Sequence, residues 1–406
     1  MLNKEKAIEN LLTRNVEEVI EKKHLEQALL SGKKLRVKHG VDPTGEKIHI
    51  GRAVALRKLK EFQDLGHKII LIIGDFTAQI GDPSDKLSKR PFLTKEQIQK
   101  NLKNYLPQIG KIIDIKKTEV HYKKIEIHYN SEWLSKLDFR ETAELAESFS
   151  VNQMLHRRAF RERFQKGEDI SLREFMYPIM QGYDSVMVKA DVEIGGEDQL
   201  FNLMSGRVVQ KHYGQKEQDI LTVRMLLGVD GRKMSTSWGN VINIADSQDE
   251  QFGKVMSLND SQIINYFRLA TGLSEKEIIA VEKELKNGAN PRDIKLSLAN
   301  EIVSLYHGKA AGNEAEENWK NIFSRKKPEI AEITPLRIGI LLQWYADDLV
   351  LKTRAIKSRS AAWRLIEQGG FQVNGEKITD PRKSVNLIEE DILKIGKKNF
   401  FRVKLK

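Results

Sequence analysis

"KKLRVKHGVDPTGEKIHIGRAVALRKLKEFQDLGHKIILIIGD", Lys33 to Asp75, carries the order strand, loop, helix, strand. "HKIILIIGD" is a short, unbroken apolar run closed by Gly-Asp, the pattern of a parallel strand buried on both faces. In "AVALRKLKEFQDLG", Ala55, Leu59 and Phe62 recur at spacings of four and three, and Gly66 closes the run. That spacing predicts an amphipathic helix with a glycine at its C-terminal end. "KKLRVKHGVDPTG" reads as a strand running into a Pro/Gly turn. Together they predict a right-handed βαβ unit, and with it an α/β fold built on a parallel sheet.

Outward from this unit the chain keeps the α/β pattern to about residue 246. A further strand, "ADVEIGGEDQ", ends in Gly195-Gly196. The stretch from about Tyr105 to Lys189 is richer in helical pattern and is expected to be an insertion in the α/β domain. Residues 247–325 are predicted helical, with Asn259 or Asp260 as an N-cap and Gly272 as a stop. "SRKKPEIAEITP" reads as a linker, over 326–340. The remainder, 341–406, is a compact α+β pattern: a basic helix in "SRSAAWRLIEQGG", then short strands in "FQVNG", "DILKIG" and "FFRVKLK".

A chain of 406 residues with 40% hydrophobic and 7% aromatic residues can build real cores in two or three domains. It has no cysteine, which excludes disulfides and Cys-ligated zinc and suits a reducing compartment. The N-terminal stretch lacks the continuous apolar core of a signal peptide. No run approaches the ~18 apolar residues that span a bilayer. A soluble, cytoplasmic protein without a membrane partner is expected. Net charge is +11, and Leu351–Lys406 holds 14 Lys and Arg against 6 Asp and Glu, hence +8 of it. Charge gathered in a terminal module suits a polyanion partner; a lysine-rich solvated surface is the plainer reading.

The loop "DPTGEKIHIGRAV", Asp42 to Val54, follows a parallel strand and opens a helix. Open α/β sheets bind ligands at that edge, and the first free amides of a helix suit phosphate. Gly51 would let a ligand approach the backbone, and His49 could donate to a phosphoryl oxygen as its charge grows. The plainer reading is a Gly turn beside a solvent-facing histidine. Nearly 200 residues on, "DGRKMSTSWGN", Asp230 to Asn240, is a polar loop with Lys233, whose ammonium can act as a movable point charge for a triphosphate. Alone it could equally be a hairpin tip.

Taken together, "HIG" and "KMSTS" resemble the paired signatures of class I aminoacyl-tRNA synthetases. "GVDPTGEKIHIG", "LGHKIILIIGDFTAQIGDPS", "YNSEWL", "FMYPIMQGYDSVMVKADVEIGGEDQLFNL" and "KMSTSWGN" are similar to tyrosyl-tRNA synthetases of the bacterial type. The tail "SRSAAWRLIEQGGFQVNGEKI" resembles an S4-type RNA-binding module. The resemblance implies a Rossmann-type catalytic domain with a helical insertion, an α-helical anticodon-side domain and a small α+β S4-like domain.

It also implies roles. Tyr177 and Gln181, with Asp82, would hold the α-amino group of tyrosine, and Asp184 would accept from the phenol. Lys38 and Asp42 would complete that pocket, and Gln199 would meet the carboxyl side. Gly51, Arg52, Gly196, Asp198, Ser235 and Thr236 would lie along ATP, with Asp198 and Gly196 at the ribose. His49, Thr44, Lys233, Lys86 and Arg90 would serve the phosphates in catalysis, and Asn130 would support Asp82. Tyr177, Gln181 and Asp184 fall at i, i+4 and i+7, so one helix face can present all three. A pocket that hydrogen-bonds a phenol leaves Asp184 unpaired when phenylalanine enters, which rejects it without editing.

The implied reaction has two steps. The tyrosine carboxylate attacks the α-phosphate of ATP, giving tyrosyl-adenylate and pyrophosphate. The terminal adenosine of tRNA(Tyr) then attacks the adenylate carbonyl. Magnesium would arrive with ATP, without a dedicated metal site. Lys357, Arg359 and Arg364 would contact RNA phosphates, and the helical insertion would form a homodimer interface. Four positions depart from the family pattern. Arg52 replaces a histidine, Thr236 a lysine, Lys38 a tyrosine, and Glu197 a small residue. The alternatives are a tryptophanyl-tRNA synthetase, which shares both signatures, or a catalytically weak synthetase-like RNA-binding protein.

Overall fold

The computed structural model describes residues 2–82, 93–115, 125–323, 334–338, 343–356, 358–396 and 399–404. The chain divides into two compact units, Met1–Gly312 and Asn313–Lys406.

In the first unit the unbroken apolar runs become the centre of a six-stranded sheet. Its strands are β1 (Val16–Ile20), β2 (Arg36–Val41), β3 (Lys68–Ile73), β4 (Ile125–Tyr129), β5 (Val192–Gly196) and β6 (Asp219–Val223), in the order β1-β6-β5-β2-β3-β4. β2 to β6 run parallel, and β1 closes one edge antiparallel to β6. The helix Ile50–Asp64 makes the β2–β3 crossover and buries Ala55, Leu59 and Phe62 at the expected spacing. Gly66, at φ 85°, turns the chain back into β3.

The strand order reverses at β2. β3 and β4 build out to one side, β5 and β6 to the other. The crevice beyond the carboxyl ends of β2 and β5 is therefore the switch point at which such sheets take ligands. Behind β5, the helices Leu172–Met187 and Leu200–His212 approach closely. A Cβ on Gly182 would lie 2.8 Å from the Ser205 carbonyl oxygen, so this contact needs glycine.

Three expectations are revised. Residues 247–312, expected as a separate domain, pack into the first unit; the helix Ile263–Ala270 lies against Ile50–Asp64. The stretch expected as a helical insertion also carries β4, a half-buried edge strand without a long apolar run. In the expected linker, Thr334–Arg337 forms a strand of the second unit.

The second unit has a five-stranded sheet, β10-β9-β12-β13-β7, and a two-stranded pair, β11-β8. The strands are β7 (Thr334–Arg337), β8 (Gln343–Tyr345), β9 (Phe371–Val373), β10 (Glu376–Ile378), β11 (Ser384–Asn386), β12 (Ile392–Ile395) and β13 (Asn399–Lys404). Asn374 and Gly375, both at positive φ, form the two-residue turn between β9 and β10. The helices Ala346–Lys352 and Arg359–Glu367 bury Leu349, Val350, Ala362 and Ile366 with Phe371, Leu393 and Val403. No helix among the described residues is long and apolar enough to cross a membrane.

Candidate active site

The loop after β2 enters the switch point with Asp42. Its Oδ1 accepts from Thr77 Oγ1 at 2.8 Å and its Oδ2 from Tyr177 OH at 2.9 Å. Gly74 makes room for this knot, since a Cβ there would overlap Asp42 and Thr77. Burial pushes the Asp42 carboxyl up to about 7. Burial, with Asp42 beside it, holds the Tyr177 phenol well above its usual range, so it stays a donor.

His49 caps the helix Ile50–Asp64, and its Nδ1 accepts from the Arg52 amide at 3.3 Å. With Nδ1 accepting, the neutral ring carries its proton on Nε2, where it can donate. The "HIG" backbone forms an isolated antiparallel bridge, His49 with Asn243, to the segment after the lysine loop. Ile50 N–H donates to Ile242 at 2.8 Å, and Ile244 N–H donates to Ile48 at 2.9 Å. A Cβ on Gly51 would lie 3.3 Å from Met234 Sδ. Two segments nearly 200 residues apart in sequence thus form one wall.

Asn240 organises the lysine loop. Its Oδ1 accepts from Ser235 N–H at 2.8 Å, while Nδ2 donates to Asp230 at 2.8 Å and to the Lys233 carbonyl at 3.1 Å. Thr236 opens a single turn, Thr236–Trp238, that ends at Gly239 with φ 68°. Lys233 Nζ meets Asp198 Oδ2 at 2.8 Å, just beyond β5. The cation and the carboxylate expected along ATP are therefore neighbours. Glu197, beside Asp198, is partly desolvated and held above its usual range, first by burial and then by Glu17 and Asp198. Gln199 turns its Oε1 onto the Gly196 amide at 3.1 Å.

Arg52, expected along ATP, is here engaged with the loop before it. Its guanidinium donates to Tyr105 OH at 2.7 Å, to the Asp42 carbonyl at 3.4 Å and to Thr44 Oγ1 at 3.4 Å. It braces the Asp42–Thr44 loop from behind. The helix Lys95–Ile109 adds Asn101 on the Pro43 carbonyl at 2.7 Å and Gln108 on Ile48 N–H at 2.9 Å.

Deeper in the crevice, Asp184 is buried on the helix Leu172–Met187. Its Oδ1 accepts from Trp133 Nε1 at 2.8 Å and its Oδ2 from Asn130 Nδ2 at 3.3 Å. Burial raises its carboxyl to about 6, against the opposing charge of Lys38. Asn130 also accepts from Phe76 N–H and donates to Thr77, so its described bonds brace the Asp42–Asp184 side of the site. Lys38 is fully buried; it donates to the Gln181 carbonyl (2.8 Å) and Ser185 Oγ (2.7 Å) and forms an ion pair with Glu193 Oε1 at 2.9 Å. It has no exposed surface and its partners are protein groups, unlike the direct contact with tyrosine that the resemblance implies. Asp82 accepts from Asn202 at 3.2 Å, and Arg157 Nη2 lies 3.6 Å away, an ion pair without a hydrogen bond. Arg157 is itself buried over the rings of Phe160 and Phe201.

Lys86 and Arg90 lie outside the described residues, as does Lys357 in the second unit. There, Arg359 is bound to Asp347 at 3.1 Å and Asp348 at 2.6 Å, while Arg364 is exposed. Sequence reasoning missed Thr77, Tyr105, Trp133, Arg157, Glu193 and Asn202. Trp133 stands three residues after Asn130 in a stretch already singled out. Thr77, Glu193 and Asn202 also lie in quoted stretches, but their roles depend on partners elsewhere, and Tyr105 and Arg157 carry no local signal.

The family model of class I tRNA synthetases for tryptophan and tyrosine matches residues 30–324, and that of the S4 domain matches 347–392. The chain belongs to this class I family and is an aminoacyl-tRNA synthetase. Its relatives include a tyrosine–tRNA ligase of Thermotoga maritima, 43% identical over 97% of this chain and 96% of that protein. Another, from Dehalococcoides mccartyi, is 44% identical over 98% of both. Among solved structures, tyrosyl-tRNA synthetase from Archaeoglobus fulgidus, complexed with L-tyrosine, shares the fold at a TM-score of 0.61. It is 22% identical and covers 77% of this chain and 99% of its own. A truncated mitochondrial tyrosyl-tRNA synthetase of Aspergillus nidulans matches at 0.63, with 21% identity over 78% of this chain and 94% of that one.

Proposed function

We propose that this synthetase is a tyrosine–tRNA ligase, which activates tyrosine with ATP and transfers it to the terminal adenosine of tRNA(Tyr). The observation that carries this reading is Asp184. It is a buried carboxylate at the foot of the crevice, with each oxygen already held by one donor. An ionised carboxylate only accepts, and further lone pairs remain for a phenol proton. The curated relatives point to the same amino acid.

In this account Tyr177, Gln181 and Asp82 surround the α-ammonium and Gln199 faces the carboxyl side. His49 donates through Nε2 to the α-phosphate as negative charge builds, and Thr44, on the loop braced by Arg52, lies with it. Lys233 leaves Asp198 for the triphosphate, which frees Asp198 for the ribose. Catalysis comes from positioning and charge stabilisation, without a covalent intermediate. Magnesium is part of the ATP substrate. Lys86 and Arg90 remain proposed pyrophosphate contacts.

The S4 domain supports a tRNA partner, with exposed Arg364 on its basic helix and Lys357 just before it. Arg359 holds the helix in place through Asp347. Phe139 and Leu172, 92% and 78% exposed, and a cleft lined by Phe149, Phe201 and Met204 support a homodimer. The test is charging of bulk bacterial tRNA with labelled tyrosine. Tyrosine should be incorporated and tryptophan should not. Stable adenylate without transfer would remove the tRNA half of the proposal.

A further inference from the structure

Beneath the tyrosine pocket lies an ion pair that the reaction does not touch. Lys38 on β2 and Glu193 on β5 are both fully buried and meet at 2.9 Å. Removing two charges from water is expensive, and an apolar pair of similar volume is often as stable. This pair is nevertheless well surrounded by polar partners. Lys38 donates to the Gln181 carbonyl and Ser185 Oγ and pairs with Glu193. Glu193 Oε1 also accepts from Gln181 Nε2 at 3.0 Å, and Oε2 accepts from Ser185 Oγ at 3.2 Å and from Gln218 Nε2.

Gln181 is the residue gripped at both ends. Its backbone carbonyl accepts from Lys38, and its side-chain amide donates to Glu193. A carboxylate has no proton to give, so the NH2 end of the amide must face Glu193. The carbonyl Oε1 is then the end left for the partly exposed side of this residue. An α-ammonium group has only donors, and Oε1 is the end it needs. With Glu193 absent, either amide face could turn outward, and the NH2 face would oppose the ammonium.

We infer that Glu193, held by Lys38, is a positioning residue that fixes the amide of Gln181 for recognition of the substrate α-ammonium. The inference rests on the reading of Gln181 as an ammonium ligand in a tyrosine-activating enzyme. It also explains the lysine at position 38. Lysine there is buried away from the substrate and instead pairs with Glu193.

The experiment compares the full-length wild type with Glu193→Gln and with the double variant Lys38→Met/Glu193→Met, which buries no charge and guards against simple misfolding. Both are checked by thermal unfolding. Two competitive inhibitors of tyrosine-dependent pyrophosphate exchange separate the roles. Tyrosinol carries the ammonium, and 3-(4-hydroxyphenyl)propionate lacks it. In both variants the inhibition constant for tyrosinol and the KM for tyrosine should rise about tenfold or more. The constant for the propionate and the KM for ATP should stay within about twofold. Equal weakening of both inhibitors, or of neither, in a folded variant overturns the inference. Loss of tyrosine-dependent exchange in the wild type would instead overturn the functional reading.

Discussion

The amide of Ile50 donates to the carbonyl of Ile242 at 2.8 Å, which ties the first turn of the histidine-capped helix to the segment that follows the lysine loop. This bond and its companion from Ile244 to Ile48 flank an isolated bridge between His49 and Asn243, so the loops of His49 and Lys233 are joined despite their separation in sequence.

Asp184→Asn should remove the charged acceptor for the phenol. A hydrogen bond to a charged group contributes about 1.5–3 kcal/mol, so kcat/KM for tyrosine should fall roughly 10- to 100-fold. The rate with phenylalanine should change little, and parallel exchange assays read the ratio. An unchanged ratio would place the phenol elsewhere.

Burial raises Asp184 to about 6 and Asp42 to about 7, both above an unfolded carboxyl. Between the unfolded and folded values the folded protein binds more protons, so stability falls as pH rises. The contribution is complete below the unfolded carboxyl range and is lost as pH passes through about 6 and then 7. The ligand-free wild type should therefore melt at a lower temperature at about pH 8 than at about pH 5, relative to Asp42→Asn/Asp184→Asn. Parallel melting curves for the two proteins would show that neither carboxyl is raised.

Tyr105→Phe removes one anchor of Arg52, and Arg52→Ala removes the brace on Thr44 and Asp42 altogether. Each lost hydrogen bond should weaken ATP-dependent steps by about 0.5–1.5 kcal/mol. The effect should be larger in Arg52→Ala. Steady-state kinetics with each substrate varied would distinguish this bracing role from direct ATP contact, in which Tyr105→Phe is silent.

Gly74→Ala introduces a methyl group where Asp42 and Thr77 meet. Neither partner can yield without breaking the Tyr177–Asp42–Thr77 chain, so a loss of about 1–3 kcal/mol of stability is expected, together with impaired activation. Gly45→Ala meets nothing within 4 Å and should be near neutral. Chemical denaturation of both variants makes the comparison.

In the S4 domain, Arg359→Ala leaves buried Asp347 with only Trp363 as its charge-stabilising donor among the described side chains. Because Arg359 is half-exposed, the stability loss should be about 1 kcal/mol rather than that of a buried pair. Arg364→Ala should leave melting unchanged and weaken tRNA binding with a shallower salt dependence. A filter-binding salt series separates the two arginines.

The βαβ core was legible because its signal is local. Ala55, Leu59 and Phe62 are buried at the spacing that their positions dictate, and β3 is apolar from Ile69 to Ile73. β4 was missed because an edge strand, half-buried throughout, needs no continuous apolar run. The boundary at residue 247 failed for a related reason. Helical periodicity reports a buried face and not what covers it, and the helix Ile263–Ala270 is covered by Ile50–Asp64. Within the site, His49, Lys233, Asp184 and Gln181 sit in short motifs. Arg52 and Lys38 carried the right charge, but their destinations, Tyr105 and Glu193, are set by tertiary contacts that no spacing encodes.

The most direct measurement is amino-acid-dependent exchange of labelled pyrophosphate into ATP, with tyrosine, tryptophan and phenylalanine in parallel. The account expects exchange with tyrosine alone, with Arg52 and Thr236 in place of the usual histidine and lysine. Folded protein that supports no exchange, or that exchanges with tryptophan, would contradict it.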